Sequence, residues 1–244
     1  MTSRIAVVGA TGTLGGFIVD LIERTPDLEL HAGLSSRDDL DLVVGADLVV
    51  DVTHPAVSPG IVEHVVRAGL PVLVGTSGWS AERIARLRTV VADVAGPGVL
   101  VVPNFSLGSV LATRFATMAA RFYESVEIVE THHPAKADSP SGTAVRTAEL
   151  IAEARRDLGP VSAPSSDQRA RGQQVASVPV HSLRLRGVTA RQEVVFGGEG
   201  ETLTLTHDTL SQRAYEQGLL VAMGAAPSVS GVVVGLDSVL PLDR

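Results

Sequence analysis

The chain opens with short apolar runs that alternate with longer stretches of helical periodicity. Ile5 to Val8 is a β-branched run with the character of a buried strand. It passes into Gly9-Ala-Thr-Gly-Thr-Leu-Gly-Gly16 and then into a helical pattern through Phe17, Ile18, Leu21 and Ile22. Leu28 to Leu34, Leu48 to Val52, Val72 to Val74 and Gly98 to Val102 repeat the strand pattern. Helices are expected over Ser58 to Ala68, with Gly69 as a stop, and over Ser80 to about Val91, with Ile84, Leu87 and Val91 on one face. Strands and helices alternating at this spacing predict an α/β fold whose N-terminal part is a doubly wound, Rossmann-type parallel sheet.

The pattern changes after Gly108. A helix is expected to about Phe122, a strand over Val126 to Thr131, and a helix from about Thr143 to Arg156 that Ser141 can cap. Residues 157–179 are rich in Pro, Ser, Gln and Gly and read as an exposed, mobile loop. Strand-like segments follow near 180–187, 190–197 and 201–207, with Gly197-Gly-Glu-Gly200 as the last hairpin turn. A helix from about Ser211 to Met223 returns the chain to the first domain. The expected division is a dinucleotide-binding domain over 1–104, completed by 212–244, and a second α+β domain over 105–211. The second is built on an open mixed or largely antiparallel sheet, and such one-faced sheets commonly bury their free face in an oligomer.

Composition narrows the function classes. The 244 residues carry a net charge of −7, which argues against a general nucleic-acid or anionic-membrane surface and makes any anion site a local one. Cysteine is absent, so disulfides, thiolate metal sites and cysteine nucleophiles are excluded. Aromatics are only 3%, so the core must rest on Val, Leu, Ala and Ile. No signal peptide and no apolar run of membrane-spanning length is evident, which makes the cytoplasm the expected compartment.

The glycine-rich turn follows a strand and opens a helix, the context in which backbone N–H groups and a helix N-terminus can hold a pyrophosphate. In a doubly wound sheet, ligands sit beyond the C-terminal ends of the strands. The polar turns at His54, Gly75 to Gly78 and Asn104 to Ser106 fall at such ends and are expected to share a cleft with Gly9 to Gly15. At the end of the second strand stand Ser35, Ser36 and Arg37; two hydroxyls and a guanidinium suit the 2′-phosphate of NADPH better than the bare ribose of NADH.

The densest chemistry lies in Glu130-Thr-His-His-Pro-Ala-Lys-Ala-Asp-Ser-Pro-Ser-Gly-Thr-Ala144. Lys136 is the only lysine among the 20 basic residues. An ammonium can donate a proton at working pH, which arginine cannot. Gly142 and Thr143 offer N–H groups and a hydroxyl at a helix start, where a carboxylate binds well. Asp138 is expected to orient the loop or pair with Lys136. Metal is not expected: His132 and His133 point apart on an extended segment, and no third ligand has suitable spacing. His54, His181 and His207 read as turn or strand residues, and His31 and His64 as surface residues. Arg184 and Arg186 share a strand face, open to a carboxylate contact or to a solvated or interface role.

Glu130-x-His-His-x-x-Lys-x-Asp-x-Pro-Ser-Gly-Thr-Ala144 resembles the signature of the 4-hydroxy-tetrahydrodipicolinate reductase family, the dihydrodipicolinate reductases of lysine biosynthesis. The supporting segments stand in the family's order: the glycine loop, Asp51-Val-Thr-His-Pro55, Gly75-Thr-Ser-Gly78, Pro103-Asn-Phe-Ser106 and Gly200-Glu-Thr-Leu-Thr-Leu-Thr-His207. The compact length and Val180-His-Ser-Leu-Arg-Leu-Arg-Gly187 look closest to actinobacterial members. The resemblance implies a homotetramer joined through the C-terminal sheets, reducing a cyclic, imine-containing dicarboxylate with NADPH or NADH. It implies His132 and Lys136 as the proton-transfer residues, and His133, Gly142 and Thr143, with the Ser141 cap, as the substrate-binding turn. It implies cofactor contacts at Gly9, Ala10, Thr11, Gly12, Thr13, Leu14, Gly75, Thr76, Ser77, Val102, Pro103, Asn104 and Phe105. The chain departs from the family at Thr13, where a basic residue is frequent, at Ser35, near a frequent acid, and at Ser139, in place of alanine.

The reaction so implied delivers hydride to an electrophilic carbon of the conjugated imine and a proton to the adjacent carbon, with Lys136 the first choice of donor and His132 assisting. Two rivals differ in what they require. A short-chain dehydrogenase needs a tyrosine four residues before a lysine, and Tyr123, Tyr215 and Lys136 do not supply it. A non-catalytic NADP-binding sensor of the same fold needs no organised polar centre in the second domain.

Overall fold

The computed structural model describes residues 2–94 and 96–241. Its strands are β1 (Ser3–Val8), β2 (Leu28–Leu34), β3 (Leu48–Asp51), β4 (Val72–Val74), β5 (Val99–Val101), β6 (Ser125–His132), β7 (Gln173–Val175), β8 (Val178–Arg184), β9 (Ala190–Gly198), β10 (Glu201–Thr209) and β11 (Val232–Val234). Its α-helices are α1 (Thr13–Glu23), α2 (Ser58–Arg67), α3 (Ala81–Val94), α4 (Leu107–Ala119), α5 (Gly142–Ala154) and α6 (Glu216–Ala225). The chain divides into two compact units, Met1–Leu107 with Tyr215–Arg244, and Gly108–Ala214. Met1 and residues 242–244, at the ends of the expected first domain, lie outside the described residues.

The first unit holds a six-stranded sheet in the order β11-β5-β4-β3-β1-β2, parallel throughout. Its inner strands β1, β3, β4 and β5 are apolar on both faces, with Ile5, Ala6, Val7, Val49, Val50, Leu73 and Leu100 all fully buried, whereas the edge strand β2 carries the exposed Glu29. The helices contribute stripes at helical spacing, Ile18, Leu21 and Ile22 from α1 and Val62, Val65 and Val66 from α2. Each fully buried aliphatic side chain contributes about 2 kcal/mol against exposure. The strand order reverses at β1, flanked by β2 and β3, which places the switch point at the glycine turn that follows it.

The second unit holds a five-stranded mixed sheet in the order β10-β9-β6-β8-β7. β6 pairs antiparallel with β9 and parallel with β8, while β7–β8 and β9–β10 are antiparallel hairpins. One face packs on α5 around Val126, Ile128, Ala144, Ala148, Ile151, Val194 and Phe196. Arg155, just past α5, donates to the carbonyls of Ala120 and Tyr123, tying down the C-terminal end of α4.

Several elements differ from the sequence expectation. The 157–179 stretch contains a 3-10 turn at Arg169–Arg171 and the strand β7. The strand follows from backbone pairing on the edge of β8 rather than from an apolar pattern. Its two-residue connection, Ala176-Ser177, takes positive φ at both positions (47° and 76°) without the Asn-Gly signature that usually marks such turns. The final hairpin turn narrows to Glu199-Gly200, since Gly198 already pairs with Glu201. The helix expected from Ser211 begins as a 3-10 turn at Gln212–Tyr215, and α6 starts only at Glu216. The short run Val232–Val234 completes the first sheet as its outermost strand beside β5.

Candidate active site

The first unit gathers four of the sequence-predicted turns along one edge of its sheet. The parallel register aligns Val8 with Leu34 and Asp51, Asp51 with Val74, and Val74 with Val101. The following residues continue the ladder: Gly9 N–H donates to Leu34 O (2.8 Å), Val52 to Val8 O (3.0 Å), Gly75 to Asp51 O (2.8 Å) and Val102 to Val74 O (2.8 Å). Gly9 to Leu14, Ser35 to Arg37, Gly75 to Ser77 and Val102 to Phe105 therefore start from adjacent positions.

The glycine turn is built for close backbone approach. Gly9 has φ +94°, and a Cβ there would lie 2.5 Å from the Val52 carbonyl oxygen. A Cβ on Gly15 would collide with the Gly9 carbonyl, so α1 can pack against the turn only with glycine at that point. α1 begins with Gly12 as its N-cap, without a side-chain cap and without an acidic residue in its first turn. Its first N–H groups and partial positive charge are thus arranged as a pyrophosphate site requires.

Beneath the turns lies a buried carboxylate. Asp51 is fully buried at the end of β3. It accepts from Thr53 Oγ1 (2.6 Å), Thr76 Oγ1 (2.9 Å) and Ser58 Oγ, and Trp79 Nε1 donates to the same Ser58 hydroxyl. Thr53 N–H in turn donates to Thr76 Oγ1 (2.8 Å). The Thr76 side chain is therefore committed to the interior and offers a ligand only its backbone. The same holds for Val102 and Phe105, both buried; a Cβ on Gly75 would lie 2.7 Å from the Phe105 ring. At the end of β2, Ser35 donates through N–H (2.7 Å) and Oγ (2.6 Å) to Asp38. These two bonds from Ser35 hold the Asp38 carboxyl below its usual range. Ser36 and Arg37 remain exposed at that end.

In the second unit the predicted proton-transfer residues stand where β6 leaves the core. Alternation puts Val126, Ile128, Glu130 and His132 on one face, so the strand's inward side turns from apolar to ionisable at its C-terminal end. Glu130 is fully buried. Arg184, aligned with His132 on the neighbouring strand, grips both carboxylate oxygens (2.9 and 3.0 Å). His132 Nδ1 lies 2.6 Å from Oε2, and Ser141 N–H donates to Oε1 (3.2 Å). Arg184 also donates to the Asp138 carbonyl (2.6 Å), fastening the loop to the sheet. The carboxylate that Arg184 meets is thus one of the chain's own. Glu130 itself was legible in the alternation: a carboxylate in register with Val126 and Ile128 must find a cation.

The electrostatics follow from this packing. Burial pushes the Glu130 carboxyl up, but hydrogen bonds from Arg184, Ser182 and His132 and the charge of Arg184 outweigh it, and the group is held below the usual carboxylate range. Burial lowers the basicity of His132; Glu130 opposes this, while Lys136 and Arg184 reinforce it, and the net shift is downward. The shift favours the neutral imidazole. Lys136 Nζ lies 2.7 Å from Asp138 Oδ1, and its backbone N–H closes a turn onto His133 O (3.1 Å). Burial acts to raise the Asp138 carboxyl, but Lys136 and the Gly142 N–H draw it below the ordinary value. Ser141 caps α5 by accepting from Ala144 N–H (3.2 Å), as expected. His133 and Gly142 are exposed, and Thr143 is half-buried. His132, His133, Lys136 and the Ser141–Thr143 turn thus belong to one short, cross-braced loop.

The remaining histidines have other partners. His31 contacts Arg4 (2.6 Å), His64 contacts Asp41 (3.0 Å), and His181 contacts Glu127 (2.7 Å), which also meets Arg171. Among the described residues no group of three or more His, Asp or Glu side chains is arranged to hold a metal ion, and no helix is long and apolar enough to cross a membrane.

Two family models match the chain. "Dihydrodipicolinate reductase, N-terminus" covers residues 3–105, and "Dihydrodipicolinate reductase, C-terminus" covers residues 108–240. A 4-hydroxy-tetrahydrodipicolinate reductase of Clavibacter michiganensis is 59% identical over 243 residues, spanning 100% of this chain and 88% of the relative. One from Streptomyces griseus is 46% identical over 248 residues, spanning 98% of both. Among solved structures, a dipicolinate-bound dihydrodipicolinate reductase from Paenisporosarcina sp. TG-14 superposes with a TM-score of 0.84 at 29% identity, covering 98% of this chain and 100% of that one.

Proposed function

The chain belongs to the 4-hydroxy-tetrahydrodipicolinate reductase family, and from that premise we propose how its own residues carry the reduction of 4-hydroxy-tetrahydrodipicolinate to tetrahydrodipicolinate in diaminopimelate and lysine biosynthesis. The observation that carries the proposal is the loop from His132 to Thr143. It presents one ammonium, two imidazoles and a capped helix start within twelve positions of sequence. A protein of net charge −7 needs such a local centre to attract a dicarboxylate.

We assign the substrate's carboxylates to His133, Lys136 and the Ser141–Thr143 turn, where the N–H groups and hydroxyl of a helix start meet an anion. Lys136 supplies the proton to the ring carbon beside the one that accepts hydride. His132, neutral and bonded through Nδ1, assists by returning a proton to that path. A nicotinamide nucleotide, bound at the uncapped start of α1 and along Gly9 to Leu14, Gly75 to Ser77 and Val102 to Phe105, supplies the hydride. With Ser35 held by Asp38, we assign the 2′-phosphate of NADPH to Ser36 and Arg37, so that NADPH is preferred and NADH accepted.

We also assign the assembly to the open face of the second sheet, in a homotetramer. Val129, Leu183, Val195 and Thr204 share that face, opposite the one that packs on α5, and Leu183 is 45% exposed. A cytoplasmic location suits an enzyme that draws on reduced nicotinamide. The test is an assay of NADPH oxidation with substrate generated by the preceding synthase. Turnover supports the assignment. Tight nucleotide binding without turnover would instead identify a nucleotide sensor.

A further inference from the structure

The carboxylate behind His132 sets more than the shape of its strand. We propose that Glu130 is the positioning residue of the reaction, holding His132 as the Nδ1–H tautomer and, through the Ser141 amide, fixing the start of α5 where the substrate's carboxylate is received. This rests on the assignment of His132 and the Ser141–Thr143 turn given above.

The geometry distributes the lone pairs of one buried group among the parts of the site. Oε2 meets Arg184 Nη1 (2.9 Å) and His132 Nδ1 (2.6 Å), and Oε1 meets Arg184 Nη2 (3.0 Å) and Ser141 N–H (3.2 Å). Arg184 is the counter-ion. With its charge already matched and its two oxygens gripped in parallel, Glu130 has no need of a second cation, and it takes His132 as a neutral donor. An ionised carboxylate can only accept, so the proton shared with His132 sits on Nδ1, and Nε2 is left with its lone pair. Nε2 is then the nitrogen that exchanges a proton with substrate or with Lys136. The charged groups around the imidazole are Glu130 on its own strand, Arg184 on β8 and Lys136 on the loop. Of these, Glu130 alone is an acceptor.

The same oxygen pair links the imidazole to the helix start. Ser141 is both the N-cap of α5 and the residue whose N–H is anchored on Glu130. Displacing the carboxylate therefore moves proton transfer and carboxylate binding together. Glutamine at this position reverses the polarity at His132. The Ser141 N–H, a fixed donor, claims the amide oxygen at the Oε1 position, the amide NH2 then faces Nδ1, and the ring must shift its proton to Nε2 to accept it.

The test combines ring nitrogen-15 spectra with kinetics. In the wild-type protein at neutral pH the His132 signals, assigned by comparison with His132→Gln, should show a protonated Nδ1 and an unprotonated Nε2; a protonated Nε2 would overturn the proposal without any assay. Glu130→Gln should reverse the tautomer, lower kcat about 100-fold, raise KM for the substrate several-fold and leave nucleotide affinity unchanged. Since Glu130→Gln leaves Arg184 without its counter-ion, Glu130→Gln/Arg184→Met is the companion that keeps the core neutral, and the same loss of kcat is expected. Wild-type kcat in either folded variant would overturn the proposal. Failure of the wild-type protein to reduce the substrate would remove the proposed function but leave the tautomer result to stand by itself.

Discussion

Lys136 Nζ and Asp138 Oδ1 lie 2.7 Å apart across a single intervening residue, and Asp138 also receives the Gly142 N–H. The chain's own carboxylate thus occupies two of the groups assigned to the substrate. The ammonium is three-quarters buried, at 22% exposure, while the carboxylate stands at 55%, so Asp138 is the partner that can swing away. Asp138→Asn should therefore lower KM for the dicarboxylate by a few-fold, with a smaller effect on kcat. Steady-state kinetics with the substrate varied would show it, and a raised KM would instead make the pair a support for the loop.

Lys136→Ala removes the proposed donor and alters no residue of the first unit. Turnover should fall by about 100-fold or more, the size of a lost general acid, with the NADPH dissociation constant unchanged. Titration of the nucleotide alongside the assay separates the two. Near-normal turnover would transfer the donor role to His132.

Arg37→Ala tests the 2′-phosphate assignment. Charge-assisted bonds to phosphate are worth about 1.5–3 kcal/mol, so KM for NADPH should rise 10-fold or more while KM for NADH changes little. An equal effect on both nucleotides would sink the assignment.

How much of this was visible in the chain depends on where the information lies. Of the strands that feed the proposed cofactor turns, β1, β3, β4 and β5 are apolar on both faces, and their β-branched runs stand out between glycine turns. Residues 232–234 form an apolar run as short as β4 and β5, but only a 3-10 turn at Leu236–Val239 follows it, so no alternation with a helix marks it as a strand. β7 is Gln-Gln-Val, with no alternation at all, because its pairing rests on backbone bonds to β8. In the site, the residue types of the His132–Thr143 loop pointed to the chemistry. The bond between Glu130 and Arg184 joins residues 54 apart, and such a partner is fixed only by the parallel register of β6 and β8. Likewise Thr76 and Ser35 look like ligand hydroxyls in sequence, and only the fold shows each turned onto a carboxylate of the chain itself.

Glu127 links the 157–179 segment to the sheet. Its carboxylate meets Arg171 (2.5 Å) and His181 (2.7 Å), and Arg171 also donates to Pro164 O (3.2 Å). Burial tends to raise the Glu127 carboxyl, but Arg171 and His181 together hold it below its ordinary value. A carboxyl whose folded value is depressed adds stability above its unfolded value, near 4.3 as a rough reference, and that stability is lost as pH falls through the lower, folded value. Glu127→Gln should thus destabilise the protein at pH 7 by about 1 kcal/mol, a modest figure because the pair is partly screened by water. The difference from wild type should shrink in acid, in denaturant titrations at each pH. A difference that persisted below the folded value would assign the effect to packing.

Asp51 supports the turns proposed to hold the cofactor and gives the sharpest test of the first unit. It is a fully buried carboxylate whose partners are hydroxyls and one backbone N–H, all of them donors: Ser58, Thr76 and Thr53. Asparagine has nearly the same shape but places an NH2 where an acceptor stood, and the amide then faces donors across bonds as short as 2.6 Å. Some hydroxyls can rotate to accept, yet Thr53 N–H cannot, and one or more groups are left unsatisfied at about 1–3 kcal/mol each. Asp51→Asn should lower unfolding stability by that order and should also raise KM for NADPH, because Thr53 packs against Gly9 and Thr76 follows Gly75 directly. The substrate's KM, set by the second unit, should not change. Denaturant unfolding and steady-state kinetics on the same preparation would check both parts. A variant as stable as wild type with unaltered nucleotide KM would show that the hydroxyls around Asp51, rather than its charge, hold the turns in place.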